Sequence, residues 1–430
     1  MVSRKKGYGD FAISSLLVVW GLFFSVLNYI YKYPVEYVYP TLILVLLISA
    51  YLTIKYRNSW ELLIIFVFMF YYNYSIVMAE FVLNINDFFT SYASSIEARC
   101  CLNIILFYMV LLCMFSPRKK DSLFDKNKYY VTKCQNDVIV FFIIILLCLI
   151  LIFSYSRPEA NERGETSPLY EYSIIFFIIG YYYASNKYKK VLSVLLFVFV
   201  LQNFVFGGRV TGVQLLIVWF LINYAYKAKL KIIVPCAIFA LLILTIIGGI
   251  RGNYESFDFY LLLTDVWKSL KSTMFVNDTS YSAFHTSVTF VKSEFVGWTE
   301  RLNLFGKYIL SMFLGGSKVP NSNLAAYTRQ WFMHYYGGVY PIYWHFFLGY
   351  VGVAISAFIV ALYEKCIINI NSNSKGLTKC ISIYVVAGIS RWYLYSPSNL
   401  LRGVFLLTIV YLAFNLLDEL MNRKKSIYKV

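Results

Sequence analysis

Apolar runs of about membrane-spanning length recur from one end of this chain to the other, and few folds can accommodate them. A hydrocarbon core takes about 20 apolar residues per helix. The 430 residues contain twelve such runs, near 11–31, 38–54, 60–83, 96–116, 136–154, 169–185, 191–206, 210–226, 231–250, 340–363, 381–396 and 402–418. Hydrophobic residues make up 60% of the chain, against about 45–50% in soluble domains. Lipid offers the backbone no hydrogen-bond partner, so each run is expected to close its own bonds as a helix. The expected fold is all-α and polytopic, about 12 transmembrane helices in one integral membrane domain, 1–430. The first run follows basic residues but is of full spanning length and has no small-residue cleavage site, so it reads as a helix rather than a leader.

An even number of spans puts both termini on one side, and the positive-inside rule says which. With a cytoplasmic N-terminus, 24 of the 39 Lys and Arg fall on the inner side, in short segments such as 118–133, 187–190, 227–231 and 423–429. The two basic residue types are sorted differently. Of the inner 24 only Arg4, Arg57, Arg118 and Arg423 are arginine. The outer 15 include nine: Arg99, Arg157, Arg163, Arg209, Arg251, Arg301, Arg329, Arg391 and Arg402. Topogenesis accepts either residue, whereas a planar guanidinium is preferred for gripping phosphate or carboxylate. The outer face therefore reads as built for an anionic ligand, with pairing to Glu159, Glu162, Glu165, Glu255 or Asp258 as the alternative. Two arginines stand beside glycines where an apolar run ends: Gly207-Gly208-Arg209 and Gly248-Gly249-Ile250-Arg251-Gly252. The net charge of +17 lies in short loops rather than one patch, which argues against nucleic acid as a partner.

Two outer segments have room for chemistry. The shorter, 155–168, is polar and turn-rich and reads as a connector or a lid. The longer, 251–339, lies between the ninth and tenth helices, a large periplasmic segment in which Leu302 to Leu314 is amphipathic enough to lie along the interface. All three histidines, His285, His334 and His345, fall in or beside it. His334 is the strongest candidate for proton transfer, with Arg329 five residues away. Trp298, Trp331 and Tyr335 offer faces on which a sugar can stack, or pack in the fold. No phosphate loop, dinucleotide fingerprint, HExxH or GxSxG is present. The eight cysteines include no Cys-x-x-Cys and no acidic pair suggests a metal site, so neither disulfide, metal nor cofactor is expected.

Three stretches and the general plan resemble the bacterial O-antigen polymerases, the Wzy-type oligosaccharide repeat-unit polymerases. The stretches are FGGRVTGVQLLIVWFLINYAYKAKLK (206–231), IIGGIRGNYE (246–255) and HYYGGVYPIYWHFFLGYVGVAISAFIVALYEK (334–365). Many members carry an acidic residue shortly before the spaced glycines of the third stretch, Gly349 and Gly352, where this chain has Trp344 and His345. The resemblance implies a multi-pass glycosyltransferase of the inner membrane that works on the periplasmic face. Its substrates would be polyprenyl-diphosphate-linked oligosaccharides, and its partners, besides the lipid bilayer, a chain-length regulator and a flippase of the same pathway. On that reading Arg209, Arg251 and His334 are catalytic, the arginines steadying charge on the diphosphate leaving group. Arg157, Arg163, Arg329, Arg402 and Glu255 bind substrate, and Glu255 or Asp258 is the alternative base to His334. An O-antigen ligase or a polysaccharide flippase are the competing expectations.

Overall fold

The computed structural model describes residues 2–83, 95–117, 135–154, 167–205, 208–233, 235, 276–335, 337–371 and 373–427. Its principal helices are α1 (Val2–Ile30), α2 (Val38–Lys55), α3 (Trp60–Ile76), α4 (Ile96–Phe115), α5 (Asp137–Phe153), α6 (Ser173–Tyr183) and α7 (Asn186–Val205). There follow α8 (Val210–Trp219), α9 (Asp278–Lys292), α10 (Trp298–Leu314), α11 (Leu324–Thr328), α12 (Tyr340–Ile368), α13 (Gly376–Ala387) and α14 (Ser398–Ile427). No strand occurs among the described residues. The protein is an all-helical membrane protein: seven described helices are long and apolar enough to cross a bilayer, and four more are apolar but shorter. Polar side chains mark where these helices begin. Ser95 accepts from the Ala98 amide at 3.1 Å to open α4, and Asn136 accepts from Val138 at 3.2 Å to open α5.

Two expected spans take a different form. The run 381–396 is not one helix, because α13 ends at Ala387 and the chain turns through Ile389–Trp392 before α14 begins at Ser398. The run 340–363 lies within α12, which is interrupted at Gly349, where φ is 60° and ψ is −150°. From 236 on, the expected span 231–250 lies outside the described residues.

The chain divides into two compact units, one of residues 1–123, 273–369 and 389–402 and the other of 124–272, 370–388 and 403–430. In the first, α4 is surrounded by α1, α2, α9 and α12. Along α4 the register of α12 can be read directly. Glu364 accepts from Ser116 Oγ at 2.6 Å, and Asn103 Nδ2 donates to Tyr350 OH at 3.0 Å. So 350–368 runs in the same direction as α4, a length of about 28 Å at 1.5 Å per residue, close to one hydrocarbon core. Tyr340, however, does not continue past Asn103. Its ring lies 6.1 Å from that of Tyr108, back toward the Ser116 end.

Residues 340–348 are therefore a half-helix that rises beside α4, reverses at Gly349 and returns as 350–368. A Cβ at Gly352 would meet the carbonyl oxygen of Trp344, which only a chain folded back on itself can bring about. Residues 339–347 are buried throughout. At its start the half-helix is tied into place: Gly338 N donates to Leu394 O and Tyr340 N to Tyr393 O, both at 2.8 Å. Irregular backbone at membrane depth persists only when protein encloses it, and here it does.

In the second unit α5 packs on α6, α7 pairs with α8, and α13 lies against α6 and α8. Asn136 Nδ2 donates to Asp418 at 2.6 Å and Tyr411 OH to Tyr182 OH at 3.1 Å, fixing α14 to this group.

Candidate functional site

The best-formed constellation of titratable groups lies in the first unit, where α3 gives way to a π-helical turn, Val77–Val82. Such turns interrupt helices frequently at functional sites, because the wider turn redirects a side chain. Here it carries Glu80 inward, at 1% exposure, onto His285 of α9, at 3%; Nε2 and Oε2 are 2.5 Å apart. Local contacts set the register of α9. Asn277 caps it by accepting from Thr279 N at 2.9 Å, and donates its own N–H to Ser75 Oγ of α3 at 3.2 Å. One turn further, Phe284 meets Phe81 edge to face at 5.8 Å and Tyr281 flanks the imidazole at 6.1 Å. Glu80 thus fixes the orientation of the His285 ring, a carboxylate–imidazole pairing of the kind used in general-base chemistry.

Beside this pair, α9 holds the chain that leads into the half-helix. Thr286 Oγ1 donates to Tyr335 O at 3.0 Å, and Val339 N donates to Ser287 Oγ at 2.7 Å. Gly337 and Gly338 make that approach possible. Their φ values are 102° and 144°, and a Cβ at Gly338 would lie 2.6 Å from the rings of Phe290 and Tyr343. The paired glycines of the third stretch are thus a crossing point between α9, the half-helix and the 393–395 backbone.

His334 is buried, and both its ring nitrogens are engaged locally. Nδ1–H donates to Tyr335 O at 2.5 Å, and Nε2 lies 2.9 Å from the Thr328 hydroxyl, which donates to it while the ring is neutral. Burial pushes this imidazole below its ordinary range, assisted by the Arg329 cation and opposed by the Tyr335 carbonyl. Arg329 donates from Nε and Nη2 to His334 O at 3.3 and 3.1 Å. His334 and Arg329 are therefore brought together, as parts of one tight turn. Arg402 stands at the start of α14, where its Nη2 would be 3.5 Å from a Cβ on Gly315, the residue that closes α10. Arg301 is also buried, donating to Val296 O and Glu294 O at 2.9 and 2.7 Å.

In the second unit Arg209 occupies the N-cap position of α8. The turn that carries it is built around Asn203, whose Oδ1 accepts from Gly212 N at 3.0 Å. A Cβ at Gly208 would collide with the Asn203 amide, so the glycine is required by close approach. A guanidinium at a helix N-terminus adds its charge to the positive end of the helix dipole, which suits a phosphate. Arg157, Arg163, Arg251, Glu255 and Asp258 lie outside the described residues.

Sequence reading missed Glu80. A lone carboxylate near the end of an apolar run was the available signal, since an ionisable group within a spanning helix marks a functional site by default. Comparison with protein-family models, with curated proteins and with solved structures finds no match for this chain.

Proposed function

We propose that the protein is a surface-polysaccharide polymerase of the bacterial inner membrane, joining oligosaccharide repeat units carried on polyprenyl diphosphate. The Glu80–His285 pair is the observation that carries the reading, because transfer to a hydroxyl needs a base. Glu80 orients the imidazole, and His285 removes the proton of the acceptor hydroxyl. The acceptor oxygen then forms a bond to the donor's anomeric carbon as the bond to the diphosphate oxygen breaks. Polyprenyl diphosphate leaves, and the proton rests on His285. This assigns the base to His285, on the strength of its pairing with the buried Glu80 carboxylate. Separately, Arg209, at the N-cap of α8 in the second unit, is proposed as a phosphate contact on the resemblance of 206–231.

A second reading draws on the interruptions at Gly349 and between α13 and α14. Broken membrane helices whose backbones meet are a feature of transporters. The two readings differ in product, since polymerisation lengthens a glycan and transport leaves it chemically unchanged.

The test is deletion of the gene in its host, with complementation by wild type, His285→Gln, Glu80→Gln or Arg209→Ala, and electrophoresis of the surface polysaccharide. The reading expects the long-chain ladder to collapse to a single repeat unit, rescued by wild type and not by stably inserted variants. Loss of the single unit as well points to flipping or ligation, and an unchanged ladder excludes the glycan reading.

A further inference from the structure

The helix α10 has two apolar faces, and the half-helix covers only one. On that covered face Arg301 lies over the ring of Phe346 at 5.2 Å, and Phe305 meets Trp344 and Phe347 at 5.9 and 5.5 Å. Tyr308 meets Tyr343 and Phe347 at 6.1 and 5.2 Å. The other face holds Trp298, Leu302 and Phe313, respectively 59%, 52% and 55% exposed. At helical spacing 298, 302, 309 and 313 fall on one side, and the charged Glu300 and Lys307 lie away from them.

Two observations say what covers this face. Trp298 comes within 3.7 Å of a Cβ position at Gly349, the top of the segment 350–368, whose own outward face (Val351, Ile355, Phe358, Leu362) is apolar and exposed. The apolar face of α10 is thus continuous with the lipid-facing side of a spanning helix. The order of contacts then gives its direction. From Trp298 at Gly349 through Arg301 at Phe346 to Tyr308 between Phe347 and Tyr343, α10 crosses the half-helix with a component toward the level at which Tyr340 meets Tyr108.

We infer that α10 is a membrane-dipping helix that enters the leaflet on the Ser95 side of α4 and presents 298–313 to lipid acyl chains without crossing the bilayer. Instead of lying flat at the interface, as its amphipathic sequence suggests, it descends beside the half-helix. The partner is ordinary phospholipid, and the inference does not depend on the polymerase reading.

The unmodified protein tests it, reconstituted into phosphatidylcholine vesicles with a diazirine near the headgroup or near the acyl terminus. Photolysis is followed by mapping of the lipid adducts by mass spectrometry. The inference expects the shallow probe to mark Trp298 and Leu302 and the deep probe to mark Phe313, at yields comparable with Val351 and Phe358. Adducts on Val351 and Phe358 with none on α10 would overturn it, and mean that water or a second copy covers the face. Labelling of all α10 positions by the shallow probe alone would overturn the descent. The polysaccharide ladder is a separate readout, so failure of either account leaves the other standing.

Discussion

Gly337-Gly338 and Gly208, each from one of the chain's four Gly-Gly pairs, serve different purposes in the structure. In the first unit Gly337-Gly338 is a crossing point, where backbone passes between the rings of Phe290 and Tyr343 and bonds to Leu394. In the second unit Gly208, of the pair Gly207-Gly208, lets the turn close over Asn203 so that Arg209 is held at the N-terminus of α8. Gly338 makes room for a chain, and Gly208 stands where a charge is mounted. The contrast predicts different phenotypes: loss of fold on substitution of Gly338, and loss of activity with the fold intact on substitution of Arg209.

Gly338→Ala breaks the comparison hardest. It adds roughly 1–3 kcal/mol of backbone strain at positive φ and roughly 1–3 kcal/mol of overpacking against two rings. The expected outcome is a protein that loses its thermal transition in detergent and inserts poorly. A stable Gly338→Ala protein would show that the crossing is looser than described. Arg209→Ala should leave the melting temperature close to wild type while lowering polymer formation about 10²–10³-fold, the usual loss when a charge-stabilising contact is removed. A fall in stability of the size seen at Gly338 would make Arg209 a structural residue.

Asn203→Ala sharpens the same contrast at smaller scale. It removes the acceptor for Gly212 N and should cost about 1 kcal/mol, read as a modest drop in melting temperature, with activity reduced through misplacement of Arg209. The smallest effect is expected at His334. Because its folded imidazole titrates below the unfolded value, its contribution is fully present above the ordinary histidine range and is lost as pH falls through the folded value. Acidification should therefore lower the melting temperature of wild type more than that of His334→Gln. Equal slopes for the two proteins would contradict the buried, neutral ring.

Much of this was legible in the chain, for physical reasons that can be named. Apolar runs set helix positions because lipid leaves the backbone no alternative, and α2, α4 and α5 begin and end within a residue or two of their runs. The reversal at Gly349 was not legible. Hydropathy averages over the break, and 340–368 reads as one long apolar span although the chain turns back inside it. The Glu80–His285 pair was hidden by distance, its members 205 positions apart in the chain. His334 drew attention as a histidine in a polar, aromatic stretch, but sequence alone does not show that its own neighbours engage both ring nitrogens.

The most direct measurement uses purified protein in vesicles supplied with a defined polyprenyl-diphosphate-linked repeat unit, with products resolved by mass spectrometry. The account predicts that wild type yields a series of longer lipid-linked glycans with release of polyprenyl diphosphate. Glu80→Gln and His285→Gln, inserted and melting like wild type, should fall by about 10²–10⁴-fold, the range for loss of a general base. Substrate recovered without any new glycosidic bond, or lengthened at the wild-type rate by both variants, would contradict it.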